Sequence, residues 1–541
     1  MFRTPAGAGR LVHRTRARVR ALLLLAALCA PAAAAGSPPA PAFDARAADA
    51  AFDDAFARYD LPGLAVGVVV GGEVVYRRTA GELRAGRGEP VTPRTLFKVA
   101  SNSKAMTAAL LARLVDQGRL AWDDPVVRHL PGFRMHDPWV TREIQVRDLL
   151  IHNSGLGPGA GDLMLWPEPN AFTREDVVAG LAHLKPLHSF RSRYAYDNTL
   201  YIVAGEVAAA AGGAPYEALM QREVFAPLGM SRCTAGGFDL ARTGDVAQPH
   251  RRDGDRNRVY REDPPQVPAV PMAAAGGVRC SLDDMLAWAR AWLQPERFAM
   301  VDGAPWLSEA QRAALWTAHM PMPLGARLRE WDGSRFYAYG YGWRLNDAHG
   351  RLKVSHTGTL AGMYSALTLL PELGAGFVVL INGEGSDART VLVQALSDLF
   401  ARPGGARPVA DYAQALARER EALPADRRVP DTSARRPVVA GEVDVPLGVY
   451  RDPWFGDARV CAVDGGVAFV SDKSPKLAGR LMRAGEGVLI DWDDEAIDVE
   501  AWAAFSAGDG AARLGLRKVD PEADFSYDFE DLAFERIADC P

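Results

Sequence analysis

The sequence predicts an α+β fold: an antiparallel sheet assembled from distant segments around a helical middle, followed by a small all-β unit. Three observations carry this prediction. Two strand pairs stand far apart in the chain. One is Leu64 to Val70, Gly71-Gly72 and Glu73 to Tyr76; the other is Tyr364 to Leu370, Pro371-Glu372-Leu373-Gly374 and Phe377 to Ile381. Each pairs runs of β-forming residues across a turn sequence, the pattern of a hairpin. The stretch between them carries helical periodicity. Beyond residue 440, short alternating segments punctuated by Gly, Asp and Pro take over, as in an antiparallel barrel or sandwich.

The elements follow in chain order. Six arginines precede the apolar run Ala21 to Ala30, and Ala33-Ala34-Ala35 precede Gly36. This reads as a secretory signal peptide over residues 1–35, cleaved after Ala35, because ten apolar residues are too few to span a bilayer. Cys29 leaves with it. Three helices are expected: Lys104 to Gln117 closed by Gly118, Thr199 to Ala211 closed by Gly212-Gly213, and Leu282 to Trp292. The main unit is expected over 43–400, a Pro- and Arg-rich linker with one short helical stretch over 401–439, and the small β unit over 440–541.

Composition narrows the function. Removing the six arginines of positions 1–35, which include no acidic residue, takes the net charge from −5 to −11. An acidic surface disfavours nucleic acid and other polyanions. Cys233, Cys280, Cys461 and Cys540 remain, in a chain bound for a compartment where disulfides persist. Spacing does not pair them. Cys461 and Cys540 either tie the β unit together or stay as buried thiols. There is no Cys-x-x-Cys and no His-Glu-x-x-His, so neither a metal nor a redox cofactor has a basis in the sequence.

The chemistry centres on Ser101-Asn102-Ser103-Lys104, where a serine stands three residues ahead of one of only seven lysines. On a helix this spacing brings an ammonium to a hydroxyl one turn away. Lysine, unlike arginine, can lose its proton when desolvated and serve as a base. The bland alternative is a helix-capping serine followed by a surface lysine. Two further segments bear on the choice. Tyr196-x-Asn198 offers a phenol and a carboxamide from one extended loop. A tyrosine beside a cationic lysine has its phenolate favoured, so Tyr196 can relay protons to Ser101. His356-Thr357-Gly358 ends in small residues, as a strand beside a substrate does. The loop Gly157 to Phe172, with Leu163, Met164, Leu165 and Trp166, suits either an acyl pocket or core packing.

Ser-x-x-Lys, Tyr-x-Asn and His-Thr-Gly in this order resemble the serine β-lactamase and penicillin-recognising hydrolase family, closest to its class C-like branch of esterases and D-amino-acid peptidases. Leu149 to Leu156, Ala275-Gly276-Gly277 and Tyr341-Gly342-Trp343 also look like that branch. Leu447 to Arg451 and Asp524 to Phe529 look like the lipocalin-like barrel appended to some of its members.

The resemblance implies a β-lactamase/transpeptidase-like domain followed by that barrel, and a hydrolase working through an acyl-enzyme. Ser101 would be acylated, with Lys104 and Tyr196 sharing the proton transfers and the choice of base open. Backbone N–H groups of Ser101 and Thr359 would hold the oxyanion. Asn198, His356, Thr357, Gly358 and Thr359 would contact substrate. The implied partner is a small molecule or short peptide, peptidoglycan fragments included, with no cofactor, nucleic acid or integral membrane anchor. A family lysine is replaced here by His356, largely neutral at pH 7. The expectation is weak turnover of carboxylate-bearing β-lactams, improved in His356→Lys. His152 is expected to make a structural hydrogen bond. An α/β-hydrolase is a weak alternative because no serine sits in a Gly-x-Ser-x-Gly elbow. The competing class is a non-catalytic peptidoglycan- or penicillin-binding protein that retains the fold.

Overall fold

The computed structural model describes residues 43–541 other than 361, 403, 425–426, 443 and 508–510. The signal-peptide reading and Cys29 lie outside the described residues.

Eight strands form one antiparallel sheet: β1 (Gly63–Val70), β2 (Glu73–Gly81), β3 (Met320–Pro321), β4 (Tyr337–Tyr339), β5 (Arg344–Ala348), β6 (Arg351–Leu360), β7 (Met363–Leu370) and β8 (Ala375–Ile381). Their order is β3-β4-β5-β6-β7-β8-β1-β2. The two hairpins foreseen in the sequence thus meet at the β8–β1 seam, with Val66 opposite Val379. Every residue of β1 and β8 is buried, so these strands read as continuous apolar runs covered on both faces.

One face, with Leu64, Val66, Val68, Phe377 and Val379, packs on α1 (Ala45–Arg58) and α5 (Ser386–Ala401). The other, with Ala65, Val69, Val378 and Leu380, packs on α4 (Leu282–Leu293) and the helical middle, which contains α2 (Ser103–Asp116) and α3 (Thr199–Gly212). A Cβ on Gly67 would stand 2.7 Å from Leu286 Cδ1, so the missing side chain lets α4 approach the sheet.

The 401–439 segment holds α6 (Val409–Glu421), whose Val409, Tyr412 and Leu416 are buried in the same cluster as α1 and α5. The final unit comprises β9 (Arg435–Pro437), β10 (Gly448–Asp452), β11 (Gly456–Val463), β12 (Gly466–Ser471), β13 (Ala478–Ala484), β14 (Gly487–Trp492), β15 (Ala501–Ala507), β16 (Ala512–Lys518) and β17 (Phe534–Ala538). Pairing of β13 with β14 closes β10 to β17 into an eight-stranded antiparallel barrel, removing its edges. Strand β9 pairs with the C-terminal half of β13, Met482 to Ala484. Cys461 and Cys540 form a disulfide that ties β11 to the chain end, and Cys233 pairs with Cys280.

Candidate active site

Ser101 occupies a single 3₁₀ turn, Ala100–Asn102, that runs into α2. No side chain caps α2, so the capping alternative does not describe Ser101. The turn is pinned from several sides. Ser103 Oγ donates to Ala100 O at 2.7 Å and accepts from Val278 N–H at 3.1 Å. Asn102 Nδ2 donates to Ser365 Oγ, which in turn donates to Val99 O at 2.6 Å. Ala100 has φ of +47°, a conformation that costs a non-glycine residue about 1–3 kcal/mol and persists only where its surroundings enforce it. Gly358 provides part of that enforcement, since a Cβ there would lie 2.2 Å from Val99 O.

Lys104, one turn into α2, is fully buried. Its Nζ donates to Ser101 Oγ at 3.2 Å, Asn198 Oδ1 at 2.6 Å and Ala275 O at 2.8 Å. Burial pushes its ammonium down to about 7, with Arg344 adding to the fall and Asp162 and Asp197 opposing it. The Tyr196 ring lies 4.8 Å from Nζ, and both Tyr196 and Ser101 face the same cavity. The expected stabilisation of a phenolate does not arise. Burial dominates and raises the phenol above its ordinary value, Arg344 and the neighbouring Ser101 hydroxyl only partly offsetting it. The site therefore pairs a lysine that can be neutral near pH 7 with a tyrosine that keeps its proton.

Asn198 bridges Lys104 to Asp162, donating from Nδ2 to Asp162 Oδ2 at 2.8 Å. His152 is buried with φ of +59°; its Nδ1 accepts from Asp197 N–H at 3.2 Å and its ring packs on Tyr196 and Tyr339.

His356 departs from its expected place. Its side chain is fully buried: Nε2 takes the Tyr339 hydroxyl at 2.8 Å and Nδ1 faces Thr357 O at 2.7 Å. Burial, with Arg344 and Lys104 nearby, holds the imidazole well below its ordinary value, hence neutral. On β6 it alternates with Thr357, so the two point to opposite faces, and Thr357 and Thr359 reach the cavity.

That cavity, about 310 Å³, is lined by Ser101, Tyr196, Asn198, Arg344, Thr357 and Thr359, with Trp166 and the barrel residues Phe525 and Ser526 on its walls. It adjoins a larger one of about 730 Å³ that shares Trp166, Thr359, Asp524 and Ser526. Pairing of β5 with β6 ends at Arg344 opposite Ser355, which, among the described residues, leaves the 356–360 edge of β6 without a partner strand on that side. Of the 157–172 loop, Trp166 lines the cavity while Leu163, Met164 and Leu165 are core.

Sequence reasoning missed Arg344, Asp162 and the barrel contribution. Arg344 directly follows the Tyr341-Gly342-Trp343 stretch, and Ser526 lies within the Asp524 to Phe529 stretch. Both signals marked resemblance without indicating a site. Among the described residues no group of His, Cys, Asp or Glu is arranged to hold a metal ion.

This constellation of serine, buried lysine and tyrosine against a strand edge is that of a serine hydrolase, and comparison with known proteins agrees. The chain belongs to the β-lactamase family: residues 48–399 match the family model described as Beta-lactamase. Penicillin-binding protein 4 of Amycolatopsis lactamdurans is 28% identical over 366 residues, 66% of this chain and 89% of that protein. Esterase EstB of Burkholderia gladioli is 35% identical over 246 residues, 43% of this chain but only 60% of the esterase. Among solved structures, the octameric penicillin-binding protein homologue from Pyrococcus abyssi superposes with a TM-score of 0.57 at 19% identity, covering 91% of this chain and all of that one. At that identity the likeness speaks for the fold.

Proposed function

We propose that this enzyme hydrolyses esters or amides of small acyl groups through an acyl-enzyme on Ser101. The observation that carries the reading is the buried Lys104 Nζ, 3.2 Å from Ser101 Oγ and with its ammonium brought down to about 7. Neutral Lys104 takes the Ser101 proton as Oγ attacks the carbonyl carbon. The oxyanion is held by the N–H groups of Ser101 and Thr359, an interaction typically worth about 3–4 kcal/mol per donor. The C–O or C–N bond then breaks, and the leaving group takes a proton through Tyr196. Water enters, is deprotonated by the same pair and releases the acid.

Asn198 has one amide proton committed to Asp162; the other is assigned to the substrate amide or ester. Trp166, Tyr194 and Phe525 bound the space available to the acyl group. Arg344 supplies a permanent cation on the cavity wall, so substrates bearing a carboxylate remain within reach despite the neutral His356. The domain limits 43–400 and 440–541, with the 401–439 connector, belong to this reading. So does export by the 1–35 segment; among the described residues no helix is long and apolar enough to cross a membrane.

Screening the purified enzyme against p-nitrophenyl esters, D-amino-acid p-nitroanilides and nitrocefin, beside Ser101→Ala, tests the proposal. A fluorophosphonate or fluorescent penicillin should label the enzyme and not the variant. Absence of any Ser101-dependent adduct would leave a binding protein that keeps the fold.

A further inference from the structure

Four buried side chains connect the C-terminal barrel to the nucleophile without a gap. Ser526, in the loop between β16 and β17, donates from Oγ to Asp162 Oδ2 at 2.8 Å. Asp162 accepts Asn198 Nδ2 on the same oxygen, Asn198 Oδ1 accepts Lys104 Nζ, and Nζ donates to Ser101 Oγ. Two residues further on, Asp528 accepts Gly161 N–H at 2.6 Å and Leu163 N–H at 2.9 Å, gripping the turn that carries Asp162 from both sides. Asp162 and Lys104 are fully buried; Asn198, Asp528 and Ser526 are at most 7% exposed. Water therefore does not replace these contacts. Phe525 meets the Tyr196 ring at a centroid distance of 5.4 Å and lines the cavity. The approach is close enough that a Cβ on Gly159 would lie 2.4 Å from Phe525 O.

We infer that the barrel is a working part of the active site, with Ser526 and Asp528 as positioning residues for Asp162, Asn198 and Lys104, and Phe525 as the roof that limits acyl size. This rests on the reading of Lys104 as base. The barrel then has a function beyond stability: it completes the carboxyl–carboxamide–ammonium chain that aims Nζ at Oγ, and it closes one side of the acyl pocket. Groups facing Lys104 are Asp162, Asp197, Arg344, His152, His356, Tyr196 and Tyr201. Of these, Asp162 is the one hydrogen-bonded by a barrel hydroxyl.

The test uses the full chain, an active p-nitrophenyl ester and fluorophosphonate titration of Ser101. Burial raises the Asp162 carboxyl well above its ordinary value, and the Ser526 bond is one of the contacts that oppose the rise; in Ser526→Ala the carboxyl holds its proton more readily and supports the Lys104 cation less. The acid limb of kcat/KM should move to lower pH, and kcat per labelled site should fall roughly tenfold or more, the usual consequence of removing one partner of a buried hydrogen bond. In Phe525→Ala, at an exposed position, the octanoate-to-acetate ratio of kcat/KM should rise at least about fivefold, the scale of burying additional methylenes. If Ser526→Ala keeps the parent kcat per labelled site and the parent acid limb, Ser526 is merely structural and the positioning role is overturned, whatever fraction is labelled. An unchanged chain-length ratio in Phe525→Ala overturns the roof. Failure of the unsubstituted protein to form a Ser101-dependent adduct removes the reading of Ser101 and Lys104 first, and this inference with it.

Discussion

Arg344 donates from Nη1 to Thr357 Oγ1 at 2.6 Å, and both residues face the cavity that contains Ser101. The contact follows from register. Arg344 stands opposite Ser355, so Thr357 is its diagonal neighbour on the same face of the sheet. The guanidinium Nε is buried and, among the described residues, without a hydrogen-bond partner, so the cation meets an anion in the cavity through its Nη groups. The expected consequence is a split between substrates. Arg344→Met should lower kcat/KM for D-alanyl peptides with a free carboxylate by about 10- to 100-fold, the effect of losing a charge-assisted hydrogen bond. For p-nitrophenyl acetate the change should stay within about threefold. Equal losses on both substrates would assign Arg344 a structural role.

Gly358 makes a different prediction. In Gly358→Ala the new methyl would meet Val99 O at 2.2 Å, Ser365 Oγ at 2.4 Å and Ala100 Cβ at 2.9 Å. The nearest atom is backbone, so relief must come from moving the turn that carries Ser101. Overpacking of this kind costs typically about 1–3 kcal/mol. Thermal unfolding should show that loss, and fluorophosphonate labelling should slow at least about 100-fold, because the displacement falls on the nucleophile itself.

These residues also show what the sequence makes legible. Ser101 and Lys104 are readable because their relationship is local: one helical turn fixes it. The hairpins around β1 and β8 are readable because strands buried on both faces are uniformly apolar. Asp162 and Ser526 are 364 residues apart, and single polar residues on loops leave no periodicity to detect. Tyr196 was legible as a residue and misjudged in its electrostatics. Its burial, which only the packing of His152 and Phe525 against it reveals, outweighs the neighbouring cation.

His356 was legible as a motif residue while its direction was not, because a strand has two faces and the motif does not say which one the cavity takes. With the imidazole turned inward onto Tyr339, His356→Lys would bury an ammonium between Arg344 and Lys104, both of which already depress the titration of this site. An unpaired buried charge is among the costliest of substitutions. The variant should therefore acylate with fluorescent penicillin no faster than the parent and unfold several degrees lower. A faster acylation at unchanged melting temperature would show that the new side chain reaches the cavity instead.

Lys104 sets the pH dependence. Only its neutral form can accept the Ser101 proton, and burial brings the ammonium down to about 7. With substrates that do not titrate, kcat/KM should rise tenfold per pH unit on the acid side and level off above about 7. Lys104→Arg should abolish this limb and cost about 100- to 10,000-fold in rate, the range for losing a general base, since a guanidinium stays charged. Stability carries the matching sign. The ordinary value of 10.5 applies to the unfolded chain, so between about 7 and 10.5 the unfolded state binds the extra proton. The contribution of Lys104 to folding is thus least favourable below about 7 and improves as pH rises through that window. The melting-temperature difference between parent and Lys104→Met, measured at pH 7 and again at pH 9, should shift in favour of the parent at the higher pH; a shift the other way would mean that Lys104 is held charged in the folded protein and cannot be the base.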